Sequence, residues 1–172
     1  MKQKNNSKNR LLKNSEEDIF FTAKKISFKY LSKQMLSEFL LCQKLQRKNF
    51  DEETIKKTID YLKGIKLIDD IAYAKTFVSH MFLKKVIAKK NIFQKLLQKG
   101  ISKSIATDVT SFITDEFEYE NALKIAQKKF TQIKQKSKKE FKCQIVQLSN
   151  FLLRKGFSYD MIFKITKKIN SN

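Results

Sequence analysis

Apolar residues recur along this chain at intervals of three and four, the spacing that places side chains on one face of an α-helix. The clearest stretch is residues 69–113, where a long amphipathic segment, a lysine-rich linker and a shorter segment lead into a further amphipathic segment. Near the end of the chain the same spacing predicts a buried stripe of Phe141, Ile145, Leu148 and Leu152. The pattern predicts an all-α fold.

One short pattern, which we call the corner, joins neighbouring amphipathic segments three times. Each corner has Asn or Gly, then a large apolar residue, then Asp or Ser: Asn49-Phe50-Asp51, Gly100-Ile101-Ser102 and Gly156-Phe157-Ser158. Gly and Asn tolerate the left-handed end of a helix, and Asp and Ser accept the first N–H groups of the next helix. The corners lie 51 and 56 positions apart, which predicts tandem repeats. We expect repeats of about 32–87, 88–139 and 140–170, with three, three and two helices.

The composition also favours helices, since the 172 residues include no proline and only three glycines. The alternation of Ile26, Phe28 and Tyr30 would suit a strand, but no partner strand is evident, so a helix is favoured. Ser32 is the candidate cap of the helix that follows. Residues 1–18 are rich in Lys, Asn and Ser, and we expect a disordered basic arm before a helical repeat domain of residues 19–172.

The net charge of +20, from 37 Lys and Arg against 17 Asp and Glu, points to a polyanion or an acidic protein surface as partner. Only three residues are arginine, which disfavours bidentate reading of guanine and favours contact with the phosphate backbone. A solvated lysine-rich face without a partner is the alternative. The candidate contacts form two clusters: Lys84, Lys85, Lys89, Lys90, Lys95 and Lys99, and then Lys134, Lys136, Lys138 and Lys139.

No pattern of a catalytic, cofactor or metal site is evident. The one histidine, His80, has no ligand at metal-site spacing, and we expect a packed or half-exposed side chain. Cys42 and Cys143 have no paired spacing and are expected to be core residues in a reducing cytoplasm. No apolar run approaches the ~20 residues of a membrane span, and no apolar signal segment is evident. We expect a cytoplasmic protein without enzymatic activity, cofactor, metal or membrane contact.

The corners also resemble the helix-turn-helix motif, in which the second helix enters the major groove. Here the second helices begin with Asp51-Glu52-Glu53, Ser102-Lys103-Ser104 and Ser158-Tyr159-Asp160. The acidic first helix N-terminus would be repelled by phosphate, and the other two have few side chains that can form bidentate hydrogen bonds with bases. A contact that is independent of base sequence and sensitive to salt is therefore favoured.

Four segments resemble the RecX regulatory proteins of bacteria. Tyr30 to Glu38 is similar to the family's opening motif, and Leu67-Ile68-Asp69-Asp70-Ile71-Ala72-Tyr73-Ala74 to its paired-aspartate signature. Leu96 to Ser102 and Leu152 to Ile162 are similar to its second and third corners. The resemblance extends from about residue 23 to residue 169. The chain differs from the family in Asn49, where glycine is common, and in its use of lysine where relatives often have arginine.

This resemblance implies tandem three-helix repeats in an elongated, curved array. It also implies a non-enzymatic regulator that binds the RecA–single-stranded-DNA filament and restrains strand exchange and ATP hydrolysis in recombination and DNA repair. The family has no catalytic residues to assign, and we expect a monomer. Two alternatives stay open: a general DNA-binding protein that acts through its lysines without RecA, and a helical adaptor for another acidic protein.

Overall fold

The computed structural model describes the backbone of residues 2–136 and 140–170, and the side chains of residues 16–135 and 140–170. These ranges contain nine α-helices, one π-helical turn (His80–Lys84) and no strand, which confirms the all-α prediction. The helices are α1 (Lys2–Leu31), α2 (Glu38–Gln46), α3 (Glu52–Gly64), α4 (Asp70–Ser79), α5 (Lys89–Gln98), α6 (Lys103–Thr110), α7 (Asp115–Lys136), α8 (Phe141–Lys155) and α9 (Tyr159–Asn170).

All three corners adopt the predicted left-handed conformation. The backbone φ angles are 61° at Asn49, 78° at Gly100 and 91° at Gly156. A Cβ atom on Gly100 would lie 2.1 Å from Cβ of Phe39, and one on Gly156 would lie 2.1 Å from Nδ2 of Asn91. The two glycines are therefore required for close approach of a neighbouring side chain as well as for backbone conformation.

The predicted caps of the corners are also present. Asp51 Oδ1 accepts the Thr54 N–H at 2.8 Å, Ser102 Oγ accepts the Ile105 N–H at 3.3 Å, and Ser158 Oγ accepts the Met161 N–H at 3.3 Å. Each bond joins the residue before a helix to the backbone three positions later, which is the usual N-cap geometry. The apolar residues between turn and cap are half-buried in the first corner and buried in the other two.

The cap predicted at Ser32 is wrong. Helix α2 begins at Glu38, and its cap is Ser37, whose Oγ accepts the Leu40 N–H at 3.3 Å and donates to the Lys99 carbonyl at 2.6 Å. Ser32 Oγ donates to the Lys29 carbonyl within the end of α1. The difference arises because α1 continues to Leu31, so that the turn between α1 and α2 occupies residues 32–37.

The first helix differs from the arm expected from composition. Helix α1 begins at Lys2, so the backbone of residues 2–18 is helical where sequence composition indicates disorder. No proline or glycine interrupts the first 31 residues, and the later part of α1 is anchored by buried Ala23 and by an edge-to-face contact of Phe20 with Tyr61 at 6.2 Å. The helix can therefore extend outward from its packed end.

The chain divides into two compact units. The first comprises Met1–Tyr73 and Lys99–Ile101, and in it α1, α2 and α3 pack against one another. Its apolar core is formed by Leu36, Leu41, Leu45, Ile55, Ile59, Leu62 and Ile68.

The second unit comprises Ala74–Gln98 and Ser102–Asn172. Helices α7, α8 and α9 pack against one another, and α5 packs against α6. The group of α7, α8 and α9 begins one helix before the repeat of residues 140–170 that the corners predict.

The apolar core of the second unit is formed by Ala88, Ala122, Ala126, Phe130, Ile133, Leu148, Leu152, Phe157, Ile162 and Ile165.

Candidate nucleic-acid and partner interface

The first lysine cluster divides into exposed and half-buried side chains. Lys84, Lys85, Lys90 and Lys95 are exposed, whereas Lys89 and Lys99 are half-buried. The exposed four belong to the second unit and lie within residues 71–107, a stretch without a single Asp or Glu. An acid-free set of exposed lysines suits contact with phosphate or carboxylate groups.

Lys89 has a structural role that its sequence position does not reveal. Its Nζ donates a hydrogen bond to the Ile113 carbonyl at 2.8 Å, and its backbone N–H donates to Glu118 Oε1 at 2.7 Å. Burial raises the pKa of Glu118, although the hydrogen bond from Lys89 opposes that shift. Lys89 therefore fixes the start of α5 and is a poor candidate for partner contact.

The segment before α5 has an unusual backbone. Helix α4 passes into the π-helical turn, and Val86 then has a φ of 47°, which is strained for a β-branched residue. Lys155 Nζ donates to the Lys85 carbonyl, and the Ala88 N–H donates to the Lys155 carbonyl at 3.0 Å. The loop that presents Lys84 and Lys85 is thus fastened to the end of α8.

Only part of the second lysine cluster lies within the described side chains. Lys134 is exposed, and its Nζ lies 4.7 Å from the centre of the Phe130 ring, within the range of a cation–π contact. The side chain of Lys136 and the whole of Lys138 and Lys139 lie outside the described residues. Their assignment to the interface stays a prediction.

In the second unit, two further pairs of exposed lysines are absent from the predicted set. Lys124 and Lys128 lie four residues apart on α7, and Lys164 and Lys168 lie four residues apart on α9. Residues at this spacing are neighbours on one helix face. The predicted clusters followed runs of lysine along the sequence, whereas helical spacing would have found these pairs.

An acidic surface in the second unit limits where a polyanion can bind. A pocket of about 690 Å³ lies at the beginnings of α7 and α9, and its lining includes the acids Asp115, Glu116, Glu118, Glu120 and Asp160 together with Lys164. Helix α7 thus begins with acids and ends with lysines, as the helix dipole favours. Phosphate is expected to avoid this pocket and to meet the lysine-bearing surfaces.

His80, in the π-helical turn where α4 ends, is exposed. The core position predicted for Cys143 is wrong. Cys143 is exposed in the first turn of α8, whereas Cys42 is half-buried and burial raises the pKa of its thiol. Within the described ranges, no three His, Cys, Asp or Glu side chains assemble into a possible metal site.

None of the helices in the described part of the chain combines the length and the apolar character needed to cross a membrane.

Comparison with known proteins identifies relatives of this fold. The family model described as "RecX, first three-helix domain" matches residues 23–62, and the model described as "RecX, third three-helix domain" matches residues 115–166. These ranges correspond to α1–α3 and to α7–α9, the same groups that pack together in the structure.

Similar curated proteins cover most of the chain. The regulatory protein RecX of Clostridium perfringens (strain 13 / Type A) is 32% identical over 157 residues, which are 91% of this chain and 73% of the relative. The regulatory protein RecX of Clostridium botulinum (strain Alaska E43 / Type E3) is 34% identical over 154 residues, which are 90% of this chain and 71% of the relative.

Two crystal structures have a similar fold. RecX from Lactobacillus salivarius superimposes with a TM-score of 0.73 at 27% identity, covering 91% of this chain and 99% of that one. A second crystal structure, of a regulatory protein RecX, gives a TM-score of 0.76 at 29% identity, covering 93% and 77% of the two chains. The helical repeat architecture is thus shared with solved relatives.

Proposed function

The chain belongs to the RecX family, and on that premise we propose that it regulates RecA by binding the RecA–single-stranded-DNA filament. Binding is expected to inhibit recombinase and ATPase activity and so to act in recombination and DNA repair. In this proposal the protein contributes contacts and no chemical step.

The observation that supports the proposal most directly is the acid-free stretch with four exposed lysines, Lys84, Lys85, Lys90 and Lys95. Each can neutralise a phosphate and release a bound counterion, which favours binding without dependence on base sequence. Lys124, Lys128 and Lys168 extend this basic character over α7 and α9. A filament offers both phosphate and protein surface to such a molecule.

The second candidate is a general DNA-binding protein that acts without RecA. It is supported by the net charge of +20 and by the scarcity of arginine, which suit contact with the phosphate backbone alone. The two candidates differ in one respect, because only the first requires contact with protein.

A co-sedimentation comparison tests the proposal. The purified protein is mixed with RecA alone, with single-stranded DNA alone, and with the assembled filament at one salt concentration. We expect the filament to retain the most protein and its ATPase rate to fall as protein is added. Equal retention by bare strand and filament, with no change in ATPase rate, would favour the second candidate.

A further inference from the structure

A groove on the surface of α8 and α9 is lined mainly by apolar side chains. Its volume is about 460 Å³, and its walls are Phe141, Ile145 and Val146 from α8 and Phe163 and Thr166 from α9. Phe163 is 68% exposed and Val146 58%. Adjoining exposed apolar side chains on a soluble protein commonly mark an interaction site.

The equivalent groove of the first three-helix group has a different character. If the corners are superimposed at Asn49 and Gly156, positions of the first group correspond to positions 107 residues later. The α2–α3 groove then has Glu38 where α8 has Ile145, Lys56 where α9 has Phe163, and Asp60 in place of Lys167. Since the first group has charged residues at the positions of Ile145 and Phe163, packing of the two helices does not require these two apolar side chains; Val146 corresponds to the apolar Phe39.

The charges around the α8–α9 groove indicate an acidic occupant. Exposed Lys142 and Lys167 are among the residues that line it, and none of its lining residues is Asp or Glu. A second copy of this strongly basic chain would bring like charges together and is disfavoured.

Single-stranded nucleic acid suits this groove less well. Binding of single strands commonly uses several exposed aromatic rings on which successive bases stack. Phe141 packs edge-to-face against Phe130 with ring centres 5.8 Å apart, which leaves Phe163 as the open ring among the residues that line the groove; Tyr159, one turn earlier on α9 and 77% exposed, lies outside that lining. The aliphatic side chains of Ile145 and Val146 suit apolar side chains of a protein better than bases.

We propose that the α8–α9 groove binds an acidic amphipathic segment of the RecA subunits in the filament. Apolar side chains of that segment enter the groove between Val146 and Phe163, and its carboxylates face Lys142 and Lys167, as in helix-in-groove recognition. The assignment to RecA rests on the proposed function. The lysines outside the groove remain available for phosphate.

Phe163→Ser and Val146→Ser test the groove on its two walls, with Phe21→Ser as the matched control. Phe21 lies on α1 and is 65% exposed, so its loss changes composition and surface area in the same way as that of Phe163. Because all three side chains are well exposed, the variants should fold, and their helical content and unfolding midpoints verify this. Affinity is measured for bare single-stranded DNA and for the RecA filament.

We expect each groove variant to bind the filament about tenfold more weakly, as for loss of an interface anchor, while binding of bare strand and the behaviour of Phe21→Ser are unchanged. Lys142→Glu should also weaken filament binding, because it places an acid against the acidic segment. Unchanged filament affinity in both groove variants would overturn the inference while the proposed function stands.

The remaining outcomes also separate the alternatives. An equal loss on bare strand and filament would make the groove a nucleic-acid contact, and a wild-type dimer dissociated by Phe163→Ser would make it a self-association surface. Either result overturns the inference. A wild-type protein that does not distinguish filament from bare strand would overturn the proposed function and this inference together.

Discussion

Single residues fix the corners, and the three copies differ in how strictly they require glycine. Gly100 and Gly156 combine a positive φ with a neighbour that a Cβ atom would strike, whereas Asn49 adopts a similar φ with a side chain of its own. Asn is the non-glycine residue that best tolerates this region. Asn49 therefore preserves the backbone conformation that glycine gives to the other two corners.

Gly100→Ala is expected to lower the free energy of unfolding by about 1 kcal/mol or more, because strain at positive φ adds to the clash with Phe39. Asn49→Gly is the paired control, and it should change the stability little, since glycine adopts the same conformation without strain. Urea unfolding followed by circular dichroism measures both. Equal midpoints for Gly100→Ala and wild type would contradict the assigned role of this corner.

Asp69 and Asp70 are neighbours with separate tasks. Asp69 Oδ1 accepts the Ile71 and Ala72 N–H groups at 2.9 Å and so caps its own helix. Asp70 Oδ1 accepts the Glu38 N–H at 2.9 Å, and burial raises the pKa of Asp70 above its ordinary value of 3.8. Asp70 thus connects the start of α4 to the start of α2.

The raised pKa of Asp70 predicts a pH-dependent stability. The folded state holds the Asp70 proton more tightly than the unfolded state does, so this group lowers stability as pH rises from its ordinary pKa through its folded pKa. Asp70→Asn keeps an oxygen that can accept the Glu38 N–H and removes the half-buried charge. We therefore expect the unfolding temperature of Asp70→Asn to rise relative to that of wild type as pH increases through this window.

Thermal unfolding of both proteins between pH 3 and pH 7 measures this difference. A difference in midpoint that is constant with pH would show that Asp70 does not titrate differently in the folded state.

At the scale of helices, two helix beginnings are capped from another helix. Helix α2 begins at Glu38, whose N–H is accepted by Asp70, and α5 begins at Lys89, whose N–H is accepted by Glu118. Glu38 and Lys89 are 51 positions apart, the same spacing as the first two corners. In both cases the N–H of the first helical residue, eleven positions before the corner residue, is accepted by a carboxylate of a later helix. This bond satisfies an N–H that has no partner within its own helix.

Lys89 and Lys90 are adjacent lysines for which the structure predicts opposite consequences of substitution. Lys89→Ala should lower the free energy of unfolding by about 1 kcal/mol, because it removes the hydrogen bond to the Ile113 carbonyl. Lys90→Ala should leave stability nearly unchanged and should weaken binding to single-stranded DNA, since its side chain is exposed. Chemical unfolding and strand binding are measured on both variants.

Equal losses of stability in the two variants would contradict this division between a structural lysine and a contact lysine.

Sequence predicts the contacts between residues that are close together along the chain, and it does not predict the contacts between residues that are far apart along the chain. The corners and their caps are predictable because each cap bonds to a residue three positions away. The Lys89–Glu118 and Asp70–Glu38 bonds span 29 and 32 positions, and no local spacing indicates them. Phe141 has the helical spacing of a core residue but is 41% exposed in the groove, since periodicity does not distinguish a packed face from a docking face.

At the scale of the whole molecule, charge and family membership support binding to a nucleoprotein. The net charge of +20 favours a polyanion, while the apolar α8–α9 groove suits a protein segment. These features separate two contributions to binding, because phosphate contact weakens with salt whereas apolar contact is much less affected. The response to salt should therefore differ between bare DNA and filament.

A paired salt titration on bare single-stranded DNA and on the RecA filament tests this account most directly. On bare strand the log–log slope should approach −0.7 for each phosphate neutralised, and replacing Lys84, Lys85, Lys90 and Lys95 by Gln should make it shallower. We expect the wild type to bind the filament more tightly than bare strand at every salt concentration, with a less steep decline. Equal affinities and equal slopes on the two substrates would contradict the account and leave a general DNA-binding protein.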